Sequence, residues 1–188
     1  MKKLFYLIFL LPLALLAQDN TILANKKNEF RIDILSAIVF AKASLSYERF
    51  IGKDFSTGLN ANFSYNNKLN EDFDNGYRNN NPKFEFNPYL RYALSKSKSR
   101  YYFAEFFGSY NGGDYKEIIR LTENNIDYYT TYKSKYTDYG FGGSLGYKMY
   151  FHDSIALEFI VGFGKNLTNR NKSPDVISRV GLNLGYRF

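Results

Sequence analysis

The tail of the chain narrows the possible folds more than any other stretch. From Val180 to Phe188, the residues Val180, Leu182, Leu184, Tyr186 and Phe188 share one parity, while Arg179, Gly181, Asn183, Gly185 and Arg187 hold the other. Apolar residues recurring with a period of two belong to a β-strand with one apolar face. A helix would space them three or four apart. The sequence closes on an aromatic residue with no polar tail after it, which is unusual for a soluble domain.

The alternation recurs upstream. Residues 55–66 set Phe55, Thr57, Leu59, Ala61, Phe63 and Tyr65 against Ser56, Gly58, Asn60, Asn62 and Ser64. Residues 137–151 set Tyr139, Phe141, Gly143, Leu145, Tyr147 and Met149 against Gly140, Gly142, Ser144, Gly146 and Lys148. Together with 29–37, 42–51, 83–94, 99–110, 155–163 and 177–188, these make eight expected strands. Both parities are aromatic at 99–110, so Glu105 decides the facing: a carboxylate turned to lipid is costly. Pro88 removes one ladder bond and is expected to disturb pairing in its strand. Short turns are expected at 52–54, 95–98 and 152–153, with a short apolar loop at 37–40. Long loops are expected at 67–82, which is rich in Asn, at 111–136, where Tyr mixes with charge, and at 165–175.

The predicted fold class is therefore all-β, an eight-stranded antiparallel up-and-down transmembrane β-barrel. An even strand number, with short turns on one rim and long loops on the other, is the layout of such barrels. Alternation alone does not say which face is inside, and a lipocalin-like soluble barrel shares the strand count. The terminal Phe, the asymmetry of the loops and the N-terminus together decide the choice. Lys2 and Lys3 precede an apolar run over 4–16, broken by Pro12 and closed by Ala17. This is the order of a secretory signal peptide, and the run is shorter than the ~20 residues of a membrane-spanning helix. The expected organisation is a signal peptide at 1–17, a short periplasmic lead-in at 18–28 and an outer-membrane β-barrel at 29–188, placed in the bacterial outer membrane.

Loss of Lys2 and Lys3 lowers the formal net charge from +7 to +5. The cations are scattered and the chain is exported, so no nucleic acid partner is expected; outer-membrane lipid and lipopolysaccharide are. The absence of cysteine excludes disulfides, thiolate metal sites and lipid attachment at a cleavage-site Cys. Tyr and Phe number 18 each, Trp is absent, and the mean hydropathy is mildly negative. That balance suits an apolar lipid face around a polar lumen.

The inward parity carries Arg31, Asp33, Glu48, Glu85, Arg91, Glu105, Lys148, Glu158, Arg179 and Arg187, five acidic and five basic residues. An eight-stranded barrel is just wide enough for its side chains to fill. These charges are expected to pair into a plug of ion pairs and Asn hydrogen bonds, the alternative being a narrow ion path through them. No enzymatic activity is expected. The one histidine, His152, falls in a predicted turn without a serine in evident triad placement beyond Ser154, and one His without Cys makes no metal site. Gly140 to Gly146 matches no phosphate-loop spacing; small residues facing a crowded lumen explain it. No cofactor is expected, and the barrel is expected to be monomeric.

The closing strand, with Tyr186 and Phe188 on its lipid face, resembles the C-terminal strand of bacterial outer-membrane barrels. That resemblance implies that Tyr186 and Phe188 form the signal read by the barrel-insertion machinery. The whole mature chain resembles the small OmpA-type eight-stranded barrels. Ser46-Tyr47-Glu48-Arg49 and Tyr89-Leu90-Arg91-Tyr92 resemble an outer-membrane barrel family of unknown function common in Bacteroidota-type bacteria. The resemblance implies no catalytic residue. The peptidoglycan-binding domain that follows the barrel in the OmpA arrangement is not expected here. The expected role is a structural or surface-interaction barrel; the alternatives are a small solute channel and, further off, a lipid-modifying enzyme.

Overall fold

The computed structural model describes residues 26–188 except 53, 96, 98, 124, 125, 153 and 170. The signal peptide expected at 1–17, and the lead-in up to residue 25, lie outside the described residues. The chain runs β1 (Asn28–Asp33), α1 (Ile34–Val39), β2 (Lys42–Phe50), β3 (Phe55–Ser64), α2 (Asn67–Asp74), β4 (Asn80–Ala93), β5 (Arg100–Glu123), β6 (Ile126–Phe151), β7 (Ile155–Asn166) and β8 (Val176–Arg187). Each strand pairs antiparallel with the next, and β8 pairs with β1 to close the barrel. Closure leaves no free edge around the wall, the condition for a sheet to cross a membrane.

Facing decides the surrounding solvent. Glu48, Lys148 and Glu158 are 0 % exposed, while Phe106 and Leu145 on the other parity are 62 % and 59 % exposed. A water-soluble barrel would have the reverse arrangement, so the outer solvent of this one is lipid. Aromatic cross-strand pairs band the rim that holds the short turns and both described chain ends. Phe30 meets Tyr47 at 5.1 Å, Phe55 meets Tyr92 at 5.0 Å and Tyr102 meets Tyr147 at 4.8 Å between ring centroids. Phe188 lies against Phe30 at 5.8 Å across the β1–β8 seam.

Three expectations about the elements are corrected. The first strand stops at Asp33, not near 37. The Asp33 carboxylate accepts from the Ser36 backbone N–H (3.1 Å) and hydroxyl (2.7 Å), an N-cap that starts α1 where an apolar loop was expected. The segment 67–82 is not all loop. Asn66 caps α2 through the Leu69 N–H (3.1 Å), and β4 already begins at Asn80. The largest difference is at 111–136, where β5 and β6 pair from Arg100↔Met149 to Glu123↔Ile126 as one continuous hairpin. Its Ile, Thr and Tyr residues favour the pleated state. β4 follows β5 only to Tyr115 and β7 follows β6 only from Gly140, so the hairpin rises beyond the rest of the wall. Pro88 interrupts the pairing as expected, the β4–β5 rungs skipping from Phe86↔Tyr110 to Tyr89↔Phe107 without a change of register; a register shift falls separately between Pro82 and Phe84.

Tyr101, Phe103, Glu105 and Phe107 on β5 are all buried in the lumen. Glycines on the neighbouring β6 and β7 make room for these rings. A Cβ added at Gly146 would lie 2.7 Å from Phe103 Cε1 and 2.6 Å from the Phe159 carbonyl oxygen. Gly146→Leu is therefore expected to lower stability by about 1–3 kcal/mol. The check is the temperature at which the compact band in SDS gels unfolds; an unchanged temperature would mean that Phe103 does not pack there.

Candidate functional site: the charged lumen

Parity on β1, β2, β4, β5, β6, β7 and β8 sends one or more charged side chains toward the barrel axis, where they meet. Lys148 Nζ lies 2.8 Å from Glu29 Oε1, 2.8 Å from Glu48 Oε2 and 3.0 Å from Glu158 Oε2. Arg31 pairs with Glu48, with Glu29 at 3.0 Å and with Glu158 at 3.2 Å, and donates to the Tyr89 hydroxyl at 2.5 Å. Arg91 spans the barrel, with Nε 2.6 Å from Glu105 Oε2 and Nη1 2.7 Å from Glu158 Oε2 and 3.0 Å from Glu48 Oε2. Its guanidinium lies over the rings of Phe103 (4.3 Å) and Tyr89 (4.6 Å), a geometry that adds cation–π attraction. Arg179 Nη1 lies 2.8 Å from Glu105 Oε1.

Four glutamates thus face four cations, and neutral donors take up remaining oxygens. Tyr150 donates to Glu29 (2.5 Å), Asn183 to Glu158 (3.1 Å), Ser144 to Glu105 (3.2 Å) and Ser56 to Glu48. Satisfaction of this kind lets charge persist away from water. Glu29, Glu48 and Glu158 bring oxygens within 4.8 Å of one another, a spacing that a metal ion could bridge. Their shared centre already holds the Lys148 ammonium.

Seven of the ten charges named from sequence meet in this cluster: Arg31, Glu48, Arg91, Glu105, Lys148, Glu158 and Arg179. The other three stand apart. Asp33 lies at the outer end, where it caps α1 and accepts from the Leu182 N–H at 3.1 Å. Glu85 is half-buried above the cluster and accepts from Asn87. Arg187 lies at the inner mouth, its guanidinium 3.6 Å from the Phe50 ring centroid, donating to the Lys26 carbonyl (2.8 Å) and the Tyr150 hydroxyl (3.1 Å). Two residues escaped the sequence reading. Glu29, the first residue of the expected strand, shares the parity of Arg31 and Asp33, the signal that would have named it. Asp138, also inward by parity, accepts from the N–H groups of Thr168 (2.8 Å) and Asn169 (2.9 Å) and from the Ser173 hydroxyl (2.5 Å), and so shapes the β7–β8 loop.

Space remains on both sides of the cluster. Toward the short-turn rim lies a cavity of about 790 Å³ that reaches Arg91, Tyr101, Phe103 and Arg187. Toward the outer rim lie two smaller ones, of about 190 and 100 Å³, and the second also reaches Arg91. His152 is exposed in the β6–β7 turn, and the Ser154 hydroxyl accepts from Lys26 Nζ; among the described residues no hydrogen bond joins the two.

An apolar belt around a closed wall, with ionised groups gathered inside, defines a transmembrane β-barrel of the bacterial outer-membrane class. The chain belongs to the family described as "Protein of unknown function (DUF3575)", whose model matches residues 6–176. It shares its fold with the N-terminal β-barrel domain of Pseudomonas aeruginosa OprF, with a TM-score of 0.51 and 12 % identity over 87 % of this chain and 98 % of that one. It is similarly related to Neisserial surface protein A, with a TM-score of 0.51 and 9 % identity over 86 % of this chain and 95 % of that one. No curated protein matches the sequence significantly.

Proposed function

We propose that the protein is a structural and surface-interaction barrel of the outer membrane, with its lumen closed by ion pairs and its outer loops carrying its contacts. The observation that carries this reading is the position of Arg91. The inner cavity and one outer cavity both end on its side chain, which is held by Glu48, Glu105 and Glu158. A permeant ion would have to separate charges that already neutralise one another, and a buried pair broken on one side is strongly unfavourable. The surface role is supported by the β5–β6 hairpin, which projects past the wall with Ile118, Ile126 and Tyr129 exposed. In this reading the belt meets outer-membrane lipid and lipopolysaccharide, the insertion machinery meets the C-terminal strand, and the barrel works as a monomer without cofactor or catalysis.

The runner-up is a small channel. In planar bilayers the purified protein is expected to give no persistent openings of defined size, and such openings would overturn the proposal. A lipid-modifying activity toward lipopolysaccharide acyl chains that disappeared in His152→Ala would overturn its non-enzymatic part.

A further inference from the structure

The charges of the chain are shared unevenly between its two rims. Beyond the central cluster, on the side of the long connections, cations and carboxylates number eleven each. Three pairs join them there: Lys133 with Asp74 (2.9 Å), Lys83 with Asp114 (3.9 Å) and Arg120 with Asp127. The cluster is balanced as well, so the net positive charge of the barrel sits at the rim of the short turns. Lys26, Lys27, Arg49, Arg100 and Arg187 stand at that rim. Lys53, Lys96 and Lys98 lie outside the described residues and fall in its turns by sequence alone. Against these eight cations stand only Asp54, Asp153, which is also outside the described residues, and the terminal carboxylate of Phe188. Among the described residues no ion pair joins Lys27, Arg49 or Arg187 to a carboxylate.

Two of these cations face lipid rather than the lumen. Arg49 follows Tyr47 by two residues on β2, and Arg100 precedes Tyr102 by two on β5, so each shares the outward face of its aromatic neighbour. Arg49 is exposed and Arg100 half-buried. The Tyr47 and Tyr102 rings belong to the aromatic band of this rim, and such a band marks the level at which hydrocarbon gives way to headgroups. Two strand residues carry a side chain roughly 6–7 Å further along the wall, and a long guanidinium extends its charge beyond that. Both arginines therefore reach the layer of the lipid phosphates. Lys27 and Arg187, at the mouth of the inner cavity, add to the same positive field. A zwitterionic headgroup brings its own ammonium into this field, whereas a headgroup of net negative charge does not.

We propose that the short-turn rim binds phospholipids of net negative headgroup charge, at Arg49 and at Arg100. The site requires the lipid-facing belt and not the closed lumen or the surface contacts, so the bilayer measurement and this one fail independently. The test is native mass spectrometry of the full chain in detergent, offered equal amounts of dioleoyl phosphatidylglycerol and dioleoyl phosphatidylethanolamine. The anionic lipid is expected to be retained preferentially, with each arginine contributing about fivefold. Arg49→Gln or Arg100→Gln alone is expected to lose about fivefold of the preference, and the double variant most of it. The doubly substituted Arg49→Lys, Arg100→Lys protein keeps the charge and is expected to keep the preference. Lys165→Gln, on the outward face near the opposite rim, is expected to change little. Heat-modifiable mobility in gels shows that each variant is folded. Equal retention of the two lipids, a preference unchanged in the double Gln variant, or an equal fall in Lys165→Gln would overturn the proposal. Sedimentation with purified cell-wall sacculi, lost in the double Gln variant while no lipid preference is seen, would assign the rim to the cell wall and overturn it too.

Discussion

Replacing Arg91 with alanine is expected to cost the folded barrel about 3–5 kcal/mol, the range for removing one partner of a buried ion pair. The charge balance explains the size. Four glutamates meet four cations around the axis, and loss of Arg91 leaves Glu48, Glu105 and Glu158 to Arg31, Lys148 and Arg179 alone. Glu105 loses its 2.6 Å partner and Glu158 its 2.7 Å one. Stacking on Phe103 and Tyr89 is lost as well. The control is Lys68→Ala on the exposed surface of α2, where substitutions of this kind change stability by about 0.5 kcal/mol or less. Urea unfolding in detergent, followed by tryptophan-free near-UV signals and gel mobility, compares the two. Adding Glu105→Gln to Arg91→Ala restores the count of charges and is expected to recover part of the loss, because the sites share a partner and are not additive. Equal effects of Arg91→Ala and Lys68→Ala would contradict the inward facing of Arg91.

The legible and illegible parts of this molecule divide along one physical line. In a pleated strand parity is facing, so the inward charges could be named from position alone: Lys148 beside Gly146, Arg91 beside Tyr89, and Glu105 in a strand whose aromatics gave no preference. Membrane surroundings sharpen that signal, because outward positions within the lipid belt are mostly apolar. Where the wall leaves the lipid the requirement lapses. The β5–β6 hairpin alternates poorly beyond Tyr115, and its Tyr-rich, charged sequence resembled a loop although its residues favour strands. At 34–40 the opposite happened. Ile34-Leu35-Ser36-Ala37-Ile38-Val39 is rich in branched residues, yet the cap that Asp33 provides to Ser36 turns it into α1. Pairing inside the lumen lay beyond parity altogether. That Lys148 meets Glu29, 119 positions away, depends on strand stagger around the closed wall, which no single strand encodes.

Deleting Phe188 is expected to damage assembly in cells far more than it damages a barrel already folded. In the folded protein the residue closes the seam between first and last strands: its N–H donates to the Asn28 carbonyl at 2.8 Å, and the Asn28 N–H returns a bond to its carbonyl at 3.0 Å. Each such bond contributes only about 0.5–1.5 kcal/mol net, and the ring remains partly exposed beside Phe30 and Tyr186. The seam retains its other rungs, from Glu29↔Arg187 to Asp33↔Asn183, so a barrel refolded in detergent should lose little stability. In the proposed reading, assembly in a cell depends on something else, namely an aromatic end that the insertion machinery can hold before β1 and β8 have met. The comparison is between heat-modifiable protein recovered from membranes and protein refolded in detergent, each with and without Phe188. A several-fold fall in the first, with the second nearly unchanged, is the expected result. Normal insertion in cells would remove Phe188 from any part in assembly, and an equal fall in both would reduce it to a rung of the seam.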